Sequence, residues 1–367
     1  MQMQGREEFS GRAACQQWIS RATSLGTPRN VRPSSQKRLQ APEPPFGGVR
    51  HGAIMIQPLS RLLRSAYDRP VLMLMLATLA WGGNSVAGKM AIGEVSPMVI
   101  VFLRWAIVGS IVLVTMRKGI TAHWPQMRPY FLHLTLMALF GFVGFNMLFY
   151  IAAHSTSAVN LGIIQGAMPA LVLIGAVIAF GTRVVALQVA GIFVTMTGVA
   201  LVAAKGDLSN LAALEINMGD GIMLIACVFY AGYTLALRNR PLVPGAIFFG
   251  VMALISAAAS VPPVIYEVMA GNALWPTPKG WLIVLFIAIF PSFLSQIFFM
   301  RGVELIGPAR AGIFINLVPI FGAILAVLIL SEPFHLYHAL ALGLVFTGIW
   351  LSERRKAPEA ASASGEG

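Results

Sequence analysis

The sequence predicts an all-α integral membrane protein, ten transmembrane helices built as two inverted five-helix repeats. Three observations carry this. First, 57% of its 367 residues are hydrophobic and 11% are charged, against about 25% charged in a soluble domain; mean hydropathy is +0.76. Second, the uncharged stretch Ala311–Leu330 is about 30 Å long as a helix, the thickness of a hydrocarbon core. It has a near-copy upstream: at a shift of 150 residues Gly162, Ile163, Pro169, Ala176, Val177, Thr197, Gly198 and Leu201 fall on Gly312, Ile313, Pro319, Ala326, Val327, Thr347, Gly348 and Leu351 without a gap. Third, basic residues concentrate in alternate loops. A repeated apolar span centred on Pro is the pattern of a duplicated membrane bundle.

In chain order, residues 1–69 read as a basic, disordered tail. It is rich in Arg, Ser, Gln and Pro, with acids up to residue 54 only at Glu7, Glu8 and Glu43. The absence of an apolar run argues against a cleaved secretory signal. The composition fits a disordered tail, an organelle transit peptide, or a start codon placed too early with Met55 as the working start. Arg61, Arg64 and Arg69 form a basic collar before the first span.

Hydropathy then places ten spans near 70–90, 95–116, 129–152, 157–180, 184–204, 218–238, 244–266, 280–301, 308–330 and 336–352. Residues 70–204 form the first repeat and 218–353 the second, joined by the external linker 205–217; 354–367 reads as a second disordered tail. With the N-terminus inside, internal loops hold Arg117, Lys118, Arg128, Arg183, Arg238, Arg240, Arg301 and Arg310, and the C-terminal tail adds Arg354, Arg355 and Lys356. External loops hold only Lys89, Lys205 and Lys279. The bias puts both termini in the cytoplasm, with the chain in the inner, cytoplasmic membrane. Five spans per repeat is an odd number, so the second repeat enters the bilayer upside down.

The same distribution explains the net charge of +12 without a basic groove, so nucleic acid is not an expected partner. The two cysteines, Cys15 and Cys227, predict neither a disulfide nor, with the scattered histidines, a metal site. No cofactor is expected.

The pattern resembles the EamA family of the drug/metabolite transporter superfamily. The matching pieces are Ala80-Trp81-Gly82-Gly83-Asn84, Ser96-Pro97, Phe102-Leu103-Arg104-Trp105, Gly162 with Pro169, and Thr197-Gly198-Val199 in the first repeat. In the second they are Gly219-Asp220, Gly312 with Pro319, Glu332-Pro333 and Thr347-Gly348. The chain departs from the family at Thr182, paired with Glu332, where an acid is common, and in having no Arg in the second repeat at the place of Arg104. The resemblance implies a secondary transporter that exports or facilitates movement of amino acids or other small metabolites.

Candidate substrate-binding residues follow from polarity inside apolar spans. Arg104, near mid-membrane, costs about 2.5–3.5 kcal/mol unless it faces a cavity or a partner. It reads either as an anion site for a substrate carboxylate or phosphate or as a structural Arg on backbone carbonyls. Trp81 and Asn84 share a helix face, as do Tyr230 and Tyr233 at the same spacing; they line a cavity or pack helices. Asn146 and Gln296 are amides paired by the repeat, and Gln165 and Asn316 lie beside the central prolines; interhelical hydrogen bonds are the alternative reading. Pro169 and Pro319 cannot donate to the helix ladder, so both spans should bend at matching depth and serve as hinges; Pro291 should bend span 8.

His133 and His154 are the candidate titrating groups. The acids read as loop-bound, Asp220 as a helix-end charge, which argues against a proton-driven pump and leaves a facilitator or exchanger. Spans 5 and 10 lack polar mid-span residues after Gln188 and His338; they read as peripheral or as a homodimer contact. A membrane enzyme would need clustered acids and His at one depth. A channel would need charge rings or a filter loop. A sensor without flux has no use for two-sided symmetry. The partners expected are therefore the lipid bilayer and a small-molecule metabolite.

Overall fold

In a computed structural model of the protein, residues 68–207 and 217–353 are described; the two predicted tails beyond Asp68 and Glu353, and most of the linker, lie outside them. Among the described residues the chain is all-helical. We number the helices α1 (Pro70–Met90), α2 (Pro97–Met127), α3 (Phe131–Met137), α4 (Phe145–Ala153), α5 (Ala158–Gln165), α6 (Met168–Phe180), α7 (Ala186–Ala203), α8 (Met218–Ala236), α9 (Gly245–Ala259), α10 (Val261–Met269), α11 (Pro278–Ile287), α12 (Ser295–Ile306), α13 (Pro308–Ile315), α14 (Val318–Leu330) and α15 (Leu336–Glu353).

By length and composition seven helical stretches can cross a membrane, with two shorter apolar helices, Val318–Leu330 and Leu336–Ser352. One part of the difference from ten expected spans is local. Pro97–Ala153 runs on as one helical stretch of 57 residues. It turns back at Arg128–Tyr130, a short 3₁₀ segment, so that Trp105 of α2 stacks on Phe142 at 4.8 Å. α2 also continues to Met127, past the predicted end near 116, with Pro125 in its last turn.

The 150-residue register persists in the backbone. α6 and α14 match residue for residue, as do α7 and α15 and α5 and α13. Two π-helical turns, Ala138–Gly144 and Ala288–Leu294, sit at the same offset. Pro291 lies in the second, but the first has Gly141 in its place, so proline is not the shared cause. α5 and α6 are separated at Gly166–Ala167, and α13 and α14 at Asn316–Leu317. Pro169 and Pro319 start the second piece in each case, where their missing N–H costs no hydrogen bond. In the first repeat the joint keeps right-handed helical dihedrals at Gly166 and Ala167 with a tightened hydrogen-bond ladder.

α7 and α15 pack on each other. A Cβ at Gly348 would lie 2.5 Å from the Gly191 carbonyl oxygen, and one at Gly198 would lie 2.8 Å from that of Ala341. Rising number on one helix meets falling number on the other, so these repeat-mates run antiparallel. Their small-residue faces are spent on this contact within the chain.

Candidate functional site

A buried polar network links three helices of the first repeat. Arg104 Nη1 donates to Asn146 Oδ1 at 2.5 Å and to the Tyr150 hydroxyl oxygen at 2.9 Å. Tyr150 in turn donates to Asn84 Oδ1 at 2.9 Å. All four side chains are buried. Asn146 and Tyr150 are four residues apart on α4 and so share a face, which points both at Arg104 of α2. Arg104 is the eighth residue of α2, about 10 Å from its start, closer to one end of the bundle than predicted. Its guanidinium lies 5.3 Å from the Trp105 ring centroid. No carboxylate bonds it among the described residues, and its Nε has no partner there. A buried cation held by neutral oxygens can donate charge-assisted hydrogen bonds to an anion.

The other predicted residues surround this network unevenly. Trp81 Nε1 donates to the Pro291 carbonyl at 2.9 Å, and its ring meets Phe299 at 5.4 Å; it joins α1 to the second π turn and α12. Tyr230 and Tyr233 lie 5.4 Å apart and pack on Phe145 and Phe142. They extend the Trp105–Phe142 stack into the second repeat. Gln165 Nε2 donates to the Leu161 carbonyl at 3.1 Å and the Ser85 hydroxyl at 3.4 Å, at the break between α5 and α6. Gln296 and Asn316 are half-buried. Asn84, Arg104 and Asn146 thus come together directly. Trp81 and Asn84 share a helix face yet meet different neighbours. Sequence reading missed Tyr150, although its four-residue spacing from Asn146 was available. A surface concavity of about 310 Å³ between α14 and α15, bounded by Ile320, Phe334 and Leu342 among others, does not include the network.

Carboxylates form a second system at the end of the bundle nearer Arg104. Glu332 Oε1 and Oε2 accept the Ala158 and Val159 amides of α5 at 2.9 and 3.0 Å. Glu267 accepts from the Ser96 hydroxyl at 2.6 Å and from the Val99 amide of α2 at 3.2 Å. Asp220 accepts from the Thr156 hydroxyl and the Asn160 side-chain amide. Glu332 and Glu267 each sit against the positive end of a helix contributed by the other repeat, whereas Asp220 lies in the first turn of its own helix, α8, and is held by those two side chains. Glu94 pairs with Lys279 at 3.1 Å; its carboxyl is held below the usual range by the Thr277 hydroxyl and then by Lys279. His154 is pushed below the usual imidazole range, first by partial burial and then by Lys89. Glu94 and Glu332 lie in loops as expected and Asp220 in the first turn of α8, but the expectation is corrected for Glu267, which lies within α10, and for burial: Asp220 and Glu267 are 2% and 7% exposed. Composition showed their number but could not show which helix ends they would reach. The argument against proton coupling from a lack of buried acid falls with it. His133 is bonded through Nε2 to the Ala236 carbonyl at 3.0 Å, which ties α3 to α8.

Among the described residues the opposite end shows no such carboxylate caps. It is tied across the repeats by Arg301 to Asp68 at 2.8 Å, by Arg238 over the Phe180 ring at 4.6 Å, and by Gln188 to the Ser352 carbonyl at 3.3 Å. Packing follows the same division. Gly82 through Gly88 of α1 are all buried, while their repeat-mates 232–238 are not. In α14 Val318, Pro319, Gly322, Ala323 and Ala326 are buried; in its mate α6, only Ala170 is.

Comparison with known proteins matches this architecture. The profile of the EamA-like transporter family fits residues 68–204 and again 217–354. The uncharacterized transporter YyaM of Bacillus subtilis (strain 168) is 26% identical over 281 residues, which is 76% of this chain and 91% of that protein. The uncharacterized transporter YetK of the same organism is 23% identical over 288 residues, 78% of this chain and 87% of YetK. A solved crystal structure shares the fold, with a TM-score of 0.52 and 20% identity across 77% of this chain and 96% of that one. With two family domains in one chain and apolar helices of membrane-crossing length, this protein belongs to the EamA-like transporter family and is a multi-pass membrane transporter, not an enzyme.

Proposed function

We propose that the protein is a secondary transporter that exports a small organic metabolite bearing a carboxylate, an amino acid or related compound, by alternating access across the cytoplasmic membrane. On this reading ten spans form two inverted repeats, and both termini are cytoplasmic. The loops at the Glu332 end are external, and the Arg-rich loops at the Thr182 end are internal.

The observation that carries the reading is unequal packing of equal parts. α14 buries Val318, Pro319, Gly322, Ala323 and Ala326, whereas its repeat-mate α6 buries only Ala170 and is otherwise half-buried or exposed. Two repeats with one sequence register and two packings are what a carrier closed on one side requires. Substrate enters from the loose, internal end and meets Arg104, which receives the carboxylate with Asn84 and Asn146 beside it. Trp81, Tyr230 and Tyr233 provide aromatic walls. Gln165, Gln296 and Asn316 supply polar groups at the helix breaks, where Pro169 and Pro319 act as hinges.

The test is efflux of labelled amino acids, nucleosides and cationic drugs from proteoliposomes, with and without a pH gradient. The expected result is accelerated flux of carboxylate-bearing compounds. Flux confined to cationic drugs would overturn the assignment of substrate class, and folded protein that moves no member of the panel would count against transport of these classes.

A further inference from the structure

The repeat that supplies Glu332 does not supply its mate. Ser331 precedes it with a φ of 53°, and Gly181 precedes Thr182 with a φ of 61°. The left-handed turn is thus present in both repeats, and in the second it is made by a residue with a Cβ, at a cost of about 1–2 kcal/mol. In that turn Glu332 reaches two amides of α5, Ala158 and Val159. The residues matched to the donors are Pro308 and Ala309. Proline has no amide hydrogen. At the opposite end both partners of the contact are therefore altered together: Thr182 brings no charge, and one of the two donors is gone.

We propose that Glu332 is a latch that holds the external end shut, and that the absence of a matching latch at Thr182 and Pro308 makes the externally closed, internally loose arrangement the resting state of the carrier. The inference rests on the alternating-access reading above. The latch has the chemistry of a helix cap, but its two halves come from different repeats, so it breaks when the repeats separate and not when either one merely flexes. Nothing in the first repeat's own sequence keeps α5 against α14 as specifically. The contact of Gly162 with α14, where a Cβ would lie 3.5 Å from the Pro319 carbonyl oxygen, fits closely but adds no charge.

Distances between spin labels test this in full-length protein in liposomes, with Cys15 and Cys227 replaced by Ala. Ser155 and Leu336, both exposed, report the external end; Val185 and Leu305, also exposed, report the internal end. The expected wild-type result is one short external distance. E332A should add a longer external population, raising the open-to-closed ratio on the order of tenfold. E332Q, which keeps the shape but halves the acceptors and drops the charge, should fall between. T182E combined with P308A should shorten the internal distance. An E332A protein that elutes and melts as folded, yet keeps the wild-type external distribution, overturns the latch. So does a wild-type protein whose external end is already mostly open. Neither result touches the flux measurement, so the two readings can fail separately.

Discussion

α5 with α14 and α13 with α6 are the same pair of helix pieces, drawn twice from one register, and they do different things. Near Glu332 the pieces interlock. Every residue from Ala158 to Ile164 is buried, and a Cβ added at Gly82 would lie 2.7 Å from the Gly322 amide nitrogen. Near Thr182, among the described residues, a Cβ added at Gly232, the mate of Gly82, would meet nothing within 4 Å. Apolar character is alike in both, so burial of apolar surface alone does not choose between them. The choice is made by a few directional contacts, the carboxylates on helix N-termini, all of which lie at one end.

The largest effect is expected at Arg104, which lies just inside the tight end. Arg104→Ala should lower efflux of a carboxylate substrate roughly 10- to 100-fold, the worth of a charged hydrogen bond, with membrane insertion intact. Arg104→Lys should recover part of it, since charge is kept and the planar fork is lost. Full activity in both would remove Arg104 from the substrate's path.

Gly→Ala at the two matched positions sharpens the comparison directly. Both changes gain the same helix propensity, about 1 kcal/mol. Gly82→Ala should in addition pay about 1–3 kcal/mol for overpacking against Gly322 and Phe321, and Gly232→Ala should not. Melting of the two variants in one detergent measures the difference; equal melting temperatures would erase the distinction between tight and loose ends.

The smallest effects should appear on acidification, and only at the tight end. Because His154 has a lowered folded value, the unfolded chain takes the proton first. Stability is whole above about pH 6.5 and falls as pH drops from there toward the folded value. His154→Gln should flatten that part of the profile. Glu94, also lowered, contributes above about pH 4.3 and loses its contribution as pH falls through its folded value. Glu94→Gln should flatten only the more acidic part. A profile unchanged by both substitutions would mean that neither group couples to folding.

Most of the bundle was legible because its signals are periodic and local. The 150-residue offset, the central prolines and the alternation of basic loops need no knowledge of tertiary contact, and helix boundaries at α6 and α14 came out in register for that reason. The polar network was half legible. Asn84, Arg104 and Asn146 stand out as polar residues in apolar spans, whereas Tyr150 looks like any membrane aromatic until its partner is in view. The carboxylate caps were not legible at all. Glu267 and Ser96 are 171 positions apart, and nothing in either neighbourhood names the other. The looseness of one end was equally hidden, because it depends on what two matched segments fail to touch.

Arg104 has one further consequence, in electrical terms. Its charge lies about two helical turns inside the bundle, with no carboxylate bonded to it among the described residues. An empty carrier therefore holds a positive charge within the membrane's field, and a bound monocarboxylate cancels it. Moving one charge across 100 mV is worth about 2.3 kcal/mol, and a charge that senses part of the field is worth that fraction. The loaded protein should change face with little regard for the membrane potential. The empty one should feel it, so the return step, not the export step, is where voltage would set the pace.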